Sequence, residues 1–266
     1  LNLPFTEPPT DPKKNPIYFT PSVVHARGKQ ALMLATVTGS IFETDSDIND
    51  NSNPAFCGTG NKPPCFCDAG GNGFCTKILL DIFDVDPNTR DIKQTSPSTQ
   101  HFELRIGNTS FQVDTDGDGD VDDTVTLSSL TRATTRPLVV MDPATGGGGP
   151  TSGRAYFLLM DPSQFIEELG LCAGRTYLVP VPFAFTTGGG GGGGGSPVQF
   201  SSPPQVQQPI QQLGFGPVTS ITAVAGKLVV VQAGYGARIA APAVPGPPAP
   251  NSTPTLPLLR GVRRVQ

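Results

Sequence analysis

Between positions 114 and 123 the chain carries six carboxylates, Asp114, Asp116, Asp118, Asp120, Asp122 and Asp123, interleaved with Gly117 and Gly119. Alternate residues of a tight turn can aim their side chains at one point. Carboxylates held that close repel one another unless a positive charge sits among them. A hard dication with oxygen ligands meets the need. Calcium accepts about six to eight oxygens in flexible geometry, whereas magnesium demands a stricter octahedron and keeps more water, so the loop reads as a calcium site. In the expected ligand set Asp114, Asp116 and Asp118 bind through their side chains. Asp120 binds through its carbonyl or its carboxylate, and Asp122 or Asp123 closes the shell. The register follows an EF-hand loop through three acidic positions and the glycine at the sixth, Gly119, but Val125 stands where the bidentate Glu belongs. The flanks, 110–113 and 124–127, read as strands rather than helices, so the loop is expected within a β framework. The plainer alternative is an empty acidic turn, since Asp-Gly pairs are common in hairpins.

A second cluster is made of cysteines. Cys57, Cys65, Cys67 and Cys75 lie in one Gly- and Pro-rich stretch, and Cys172 stands apart. Such a stretch buries little apolar surface by itself and needs crosslinks to become ordered, so two local disulfides and an oxidising compartment are expected. A four-thiolate zinc site is the rival, although such sites usually show Cys-x2-Cys rather than the Cys-x-Cys of Cys65 and Cys67.

Other chemistry finds little support. The two histidines, His25 and His101, are not accompanied by a Gly-x-Ser-x-Gly elbow, and His101 reads as an ordinary strand residue. Gly226 and Lys227 are followed by Leu228, so they form no phosphate loop. No Cys-x-x-Cys-His appears for haem attachment. Glu43, Asp45 and Asp47 read as a solvated acidic turn. Paired carboxylates of a glycosidase are set by geometry and have no spacing to look for. The chain is therefore expected not to be an enzyme.

The elements that must position the acidic loop are strands. With 32 Gly and 29 Pro in 266 residues, long helices are interrupted and short strands joined by turns are favoured. Strand-like runs bounded by Gly, Pro, Asn or Asp recur at 30–37, 78–85, 101–106, 110–113, 124–130, 137–141, 155–160, 176–185 and 220–232. One short helix is expected over 161–170, with Asp161 as its N-cap, Pro162 in the first turn, Gln164 at the capping-box position and Gly170 as its stop. Residues 1–16 read as an extended arm, 17–240 as one β domain with a Cys-rich insertion at 57–75, and 241–266 as a Pro-rich segment. Glycine runs at 146–149 and 188–195 read as long loops. The net charge is −4 and no basic cluster precedes Arg260, which excludes phosphate-backbone binding as a main task. No apolar run is long enough to span a bilayer. The chain begins at Leu1 rather than Met, which reads as a processed chain or a fragment.

Several patches together resemble the C-terminal β-propeller of the type IV pilus tip adhesin and biogenesis family (PilY-type). They are residues 15–24 with 31–47, 136–141 with 153–161, the segment from Cys172 to Gly188, and the chain's end at 261–266. Thr38, Gly39 and Ser40 stand where that family usually has Gly-Thr-Gly. The resemblance implies an all-β, propeller-like fold, partial or atypical. It further implies a calcium-binding protein at the cell surface or pilus, acting in adhesion and pilus assembly. Its partners would be pilus or filament subunits and a host or surface ligand. A structural subunit of an extracellular filament is the alternative, and an extracellular hydrolase on a propeller scaffold a lesser one.

Overall fold

The structure, a computed structural model, describes residues 19–26, 31–39, 76–85, 92–93, 100–128, 130–143, 151–162, 174–186, 198–224, 227–232 and 236–240. Outside them lie all five cysteines, Glu43, Asp45 and Asp47, both glycine runs, the 1–16 arm, the 241–266 segment and positions 163–170 of the expected helix.

Fifteen strands are described, and they fall into three sheets. The first sheet runs β1 (Ser22–Ala26), β2 (Ala31–Val37), β3 (Thr76–Val85), β4 (Ile92–Lys93), with β5 (His101–Ile106) also paired to β3. The second is built from β6 (Thr109–Asp114), β7 (Asp123–Leu127), β8 (Arg132–Ala133), β9 (Leu138–Met141), β10 (Ser152–Asp161), β11 (Arg175–Ala184) and β12 (Ile210–Phe215). Its order is β7-β6-β12-β11-β10-β8, and β9 also pairs β10. The third sheet is β13 (Val218–Val224), β14 (Lys227–Gln232) and β15 (Gly236–Ala240). Every pairing is antiparallel except β6 with β12.

Alternation decides which face each residue takes. Met33, Ala35 and Val37 of β2 and Ile78, Leu80 and Ile82 of β3 meet Ala155, Phe157 and Leu159 of β10 and Tyr177, Val179 and Val181 of β11 in one core. The intervening residues Tyr156, Leu158 and Leu178 point the other way and pack with Val218, Ile221, Leu228 and Val230 of the third sheet. The middle sheet is thus covered on both faces, which is why β10 and β11 are almost continuously buried. The result is an all-β stack of three layers. Among the described residues the stack is open, and no closed propeller is formed.

Two local details let β11 sit in the middle. Pro180 and Pro182 lack an N–H, which a central strand normally cannot tolerate. The Pro180 carbonyl accepts from Gln207 N at 2.8 Å, so this residue's polar groups face away from β10. Pro182, two residues on, has the same orientation, and the β11–β12 register reaches only Leu178. The missing donors therefore cost no ladder bond with β10. Gly153 opens β10 between Met141 and Phe183, where a Cβ would stand 2.5 Å from the Val140 carbonyl oxygen and 2.9 Å from the Phe183 ring.

The expected strands are all present, with the 220–232 run divided into the β13–β14 hairpin. Asp161, expected to cap a helix, is the last residue of β10, and its carboxylate accepts from Ser128 N at 2.8 Å and Ser128 Oγ at 2.6 Å.

Leu158 is the test of the layered core, because it fills the contact between the second and third sheets. Leu158→Ala should cost about 2–5 kcal/mol in chemical denaturation. Val224→Ser, at a site 53% exposed, should stay within roughly 0.5 kcal/mol of the parent.

Candidate metal centre

The acidic loop joins β6 to β7, whose hairpin register runs from Thr109 opposite Leu127 to Val113 opposite Asp123. Asp114 ends β6 and is only 3% exposed. Its two oxygens accept from Gly117 N at 2.5 Å and Gly119 N at 3.0 Å. Asp116 Oδ1 accepts from Asp118 N at 3.1 Å, and Asp118 Oδ1 from Asp120 N at 2.8 Å. These are successive side-chain-to-backbone turns, the local bonding that Asp favours over regular structure. They require the chain to bend sharply, and Gly117 and Gly119 supply it with φ of 90° and 96°. A Cβ at Gly119 would meet nothing within 4 Å, so the backbone angle rather than space demands glycine there.

The far end of the loop is tied back by Asp122. Its N–H donates to the Val113 carbonyl at 2.9 Å, and its Oδ2 accepts from both Thr115 N and Thr115 Oγ1 at 2.7 Å. The hydroxyl bond and then the backbone bond hold the Asp122 carboxyl below its usual range. Thr115, passed over when only acids were considered, is what fixes this carboxylate.

These bonds bring Asp114, Asp116 and Asp122 together, with one oxygen of each lying within 4.8 Å of the others. Ligands on opposite sides of a calcium ion stand about 4.6–5.2 Å apart, so a trio of this spread is compatible with one coordination shell. Asp118, Asp120 and Asp123 are exposed and lie outside this converging group. Asp123 Oδ1 accepts from the N–H of Thr124 at 2.7 Å. Of the two candidates for closing the site, Asp122 is the one that converges. Among the described residues no Lys or Arg forms an ion pair with the trio. The arrangement offers anionic oxygens on a braced loop, which is the chemistry of a hard cation site.

No family model, curated protein or solved structure matches this chain. The case for the site rests on its own geometry.

A second charged cluster lies on the first sheet, where β3 pairs β5. His101 Nδ1 is 2.6 Å from Asp81 Oδ1, with Asp81 buried at 9% exposure. Glu103 Oε1 accepts from Arg105 Nε at 2.6 Å and lies 3.4 Å from Lys77 Nζ, while its other oxygen is 4.0 Å from His101 Nε2. Burial pushes the Glu103 carboxyl up, but the Arg105 hydrogen bond and the Lys77 charge outweigh it and the net direction is down. The Asp81 hydrogen bond raises the His101 pKa above 6.5, against burial and Lys77, which lower it. These residues form a salt-bridged clamp across two strands. The sequence signal for it was Asp81 itself, an acid set between Leu80 and Ile82 in the apolar middle of β3.

Because the folded His101 pKa is raised, its stabilising share is complete below the unfolded value near 6.5 and is lost as pH climbs through the folded value. Thermal melts of the metal-free chain should show a midpoint that declines from pH ~6 to ~8. Gln in place of His101 should flatten that decline.

Proposed function

We propose that this chain is a calcium-binding β protein of the cell surface, in which the ion braces the β6–β7 hairpin. The observation that carries the reading is the convergence of Asp114, Asp116 and Asp122 on one point in a loop already folded around them. Calcium suits it better than magnesium because the loop offers flexible carboxylate ligation rather than a rigid octahedron. Asp118 and Asp120, next to the trio in the chain, can complete the shell together with backbone carbonyls and water. The role on this reading is structural, since the site closes the hairpin between β6 and β7.

The PilY-type resemblance supplies the setting. On that reading the chain acts in adhesion and pilus assembly, with pilus subunits and a host or surface ligand as partners. Its sheets would be blades of a propeller-like arrangement, and their face-to-face stacking in chain order supports this. The four clustered cysteines support an extracellular location, where disulfides persist.

Two measurements test the proposal. Calcium at about 100 times its dissociation constant should add roughly 2.7 kcal/mol of stability and raise the melting temperature by about 5–10 °C. Asp116→Asn with Asp122→Asn should abolish that rise, while Asp120→Asn should keep most of it. An unchanged melting temperature in millimolar calcium would refute the site. For the pilus setting, labelled chains should appear as single copies at fibre ends. A helical lattice of copies along the fibre would make the protein a filament subunit instead.

A further inference from the structure

Gln211 lies in β12, one strand away from the acidic loop. It is 8% exposed, and its side-chain oxygen has no hydrogen-bond partner. A buried amide oxygen in that state has given up its water and gained nothing in exchange. Its location makes this informative. The parallel β6–β12 register sets Gln211 directly beside Asp114, and on its other side Gln211 pairs with Leu178 of β11. Paired residues of neighbouring strands project to the same face about 4.8 Å apart. The orphaned oxygen therefore shares a face with the buried carboxylate of the converging trio.

Two acceptors side by side repel unless something positive lies between them. Asp114 already takes the N–H groups of Gly117 and Gly119 from its own loop, so the loop side of the carboxylate is satisfied. On the β12 side two occupants can settle the pair. Either the amide turns and donates its NH2 to Asp114, or its oxygen joins the carboxylates around a cation. A side-chain amide oxygen is an ordinary calcium ligand.

We infer that Gln211 supplies a side-chain oxygen to the cation held by Asp114, Asp116 and Asp122, so that the ion ties the β6–β7 hairpin to the body of its sheet. The inference rests on the calcium reading above. The tie matters because the direct join is short. Two residue pairs, Ile210 with Val113 and Gln211 with Asp114, make the whole β6–β12 register. Beside them the Gln112 N–H donates to Gln208 Oε1 at 2.9 Å. An ion shared between the loop and β12 would add a metal-dependent link to the docking of the hairpin.

The test uses the full chain with calcium and with terbium as a luminescent substitute. Gln211→Leu should weaken calcium binding by roughly 10-fold or more. Terbium lifetimes in water and deuterium oxide should show one additional bound water in that variant. Without metal the same variant should melt at the parent temperature or above, because the orphaned acceptor is gone. Gln211→Glu, which keeps an oxygen, should bind at least as tightly as the parent. Gln211→Met carries the same comparison if Gln211→Leu does not fold. Equal affinity and equal water count in the parent and the oxygen-free variants would overturn the inference while leaving the calcium reading intact. So would a Gln211→Leu chain that keeps its affinity but melts lower without metal, the signature of an amide donating to Asp114. A parent chain that binds neither ion defeats both readings, and that failure is visible before any variant is made.

Discussion

The pairing of β10 with β11 is the constraint from which the rest of the molecule follows. Its register is unbroken from Ser152 opposite Ala184 to Asp161 opposite Arg175. Both strands are apolar on both faces, so neither can be left against water on either side. One face takes β2 and β3, the other takes β13 and β14, and the layer order is fixed by that demand alone. Tyr156 and Tyr177 are fully buried on opposite faces of this pair, and burial pushes both phenols' pKa up, which keeps them neutral. The tilted and stacked rings of Phe183, Phe185 and Phe200 extend the first of these cores beyond the end of β11.

Polar groups at the rims then fasten the connecting segments to this frame. Asp161 is fully buried and holds Ser128, the first residue after β7. Thr176 donates to the Gly216 carbonyl at 2.7 Å, and Gln232 donates to Phe215 and Gly216 at 2.6 and 2.9 Å, which joins the second sheet to the third. Gln100 reaches the Val198 carbonyl at 2.9 Å. The β6–β7 hairpin is consequently held at two places, through Ser128 at one end and through β12 at the other. The acidic loop projects from the second of these, so its position is inherited from strands that share none of its chemistry.

Much of this was legible in the chain. Strands such as β3 and β10 announce themselves by apolar runs bounded by turn residues, and the acidic register marked the loop. β12 was not legible, because Pro209, Gln211 and Gln212 disguise a strand whose partners satisfy it from both sides. β4 and β8, two residues each, are too short to show a period. Which carboxylates converge also escaped the sequence. That choice depends on the bends at Gly117 and Gly119 and on Thr115 gripping Asp122, and spacing alone treats all six acids alike. The all-β expectation holds, whereas the described residues form no closed propeller. The arrangement of sheets, by contrast, depends on residues far apart in sequence that share a core, as Met33 and Phe157 do.

The same local bonds give the loop its electrostatic character. Each backbone N–H drawn toward Asp114, Asp116 or Asp122 fixes a carboxylate without neutralising it, since a dipole offsets only part of a full charge. The loop therefore holds its anionic oxygens together before any cation arrives. A cation entering such a site spends little free energy on ordering the chain and removes a repulsion that the backbone dipoles leave behind. Preorganised ligands and residual negative charge both favour binding, and here one set of turns produces both. An acidic hairpin on the outside of a large solvated loop would have the charge but not the order. This one has β6 and β12 beneath it, so here the order accompanies the charge.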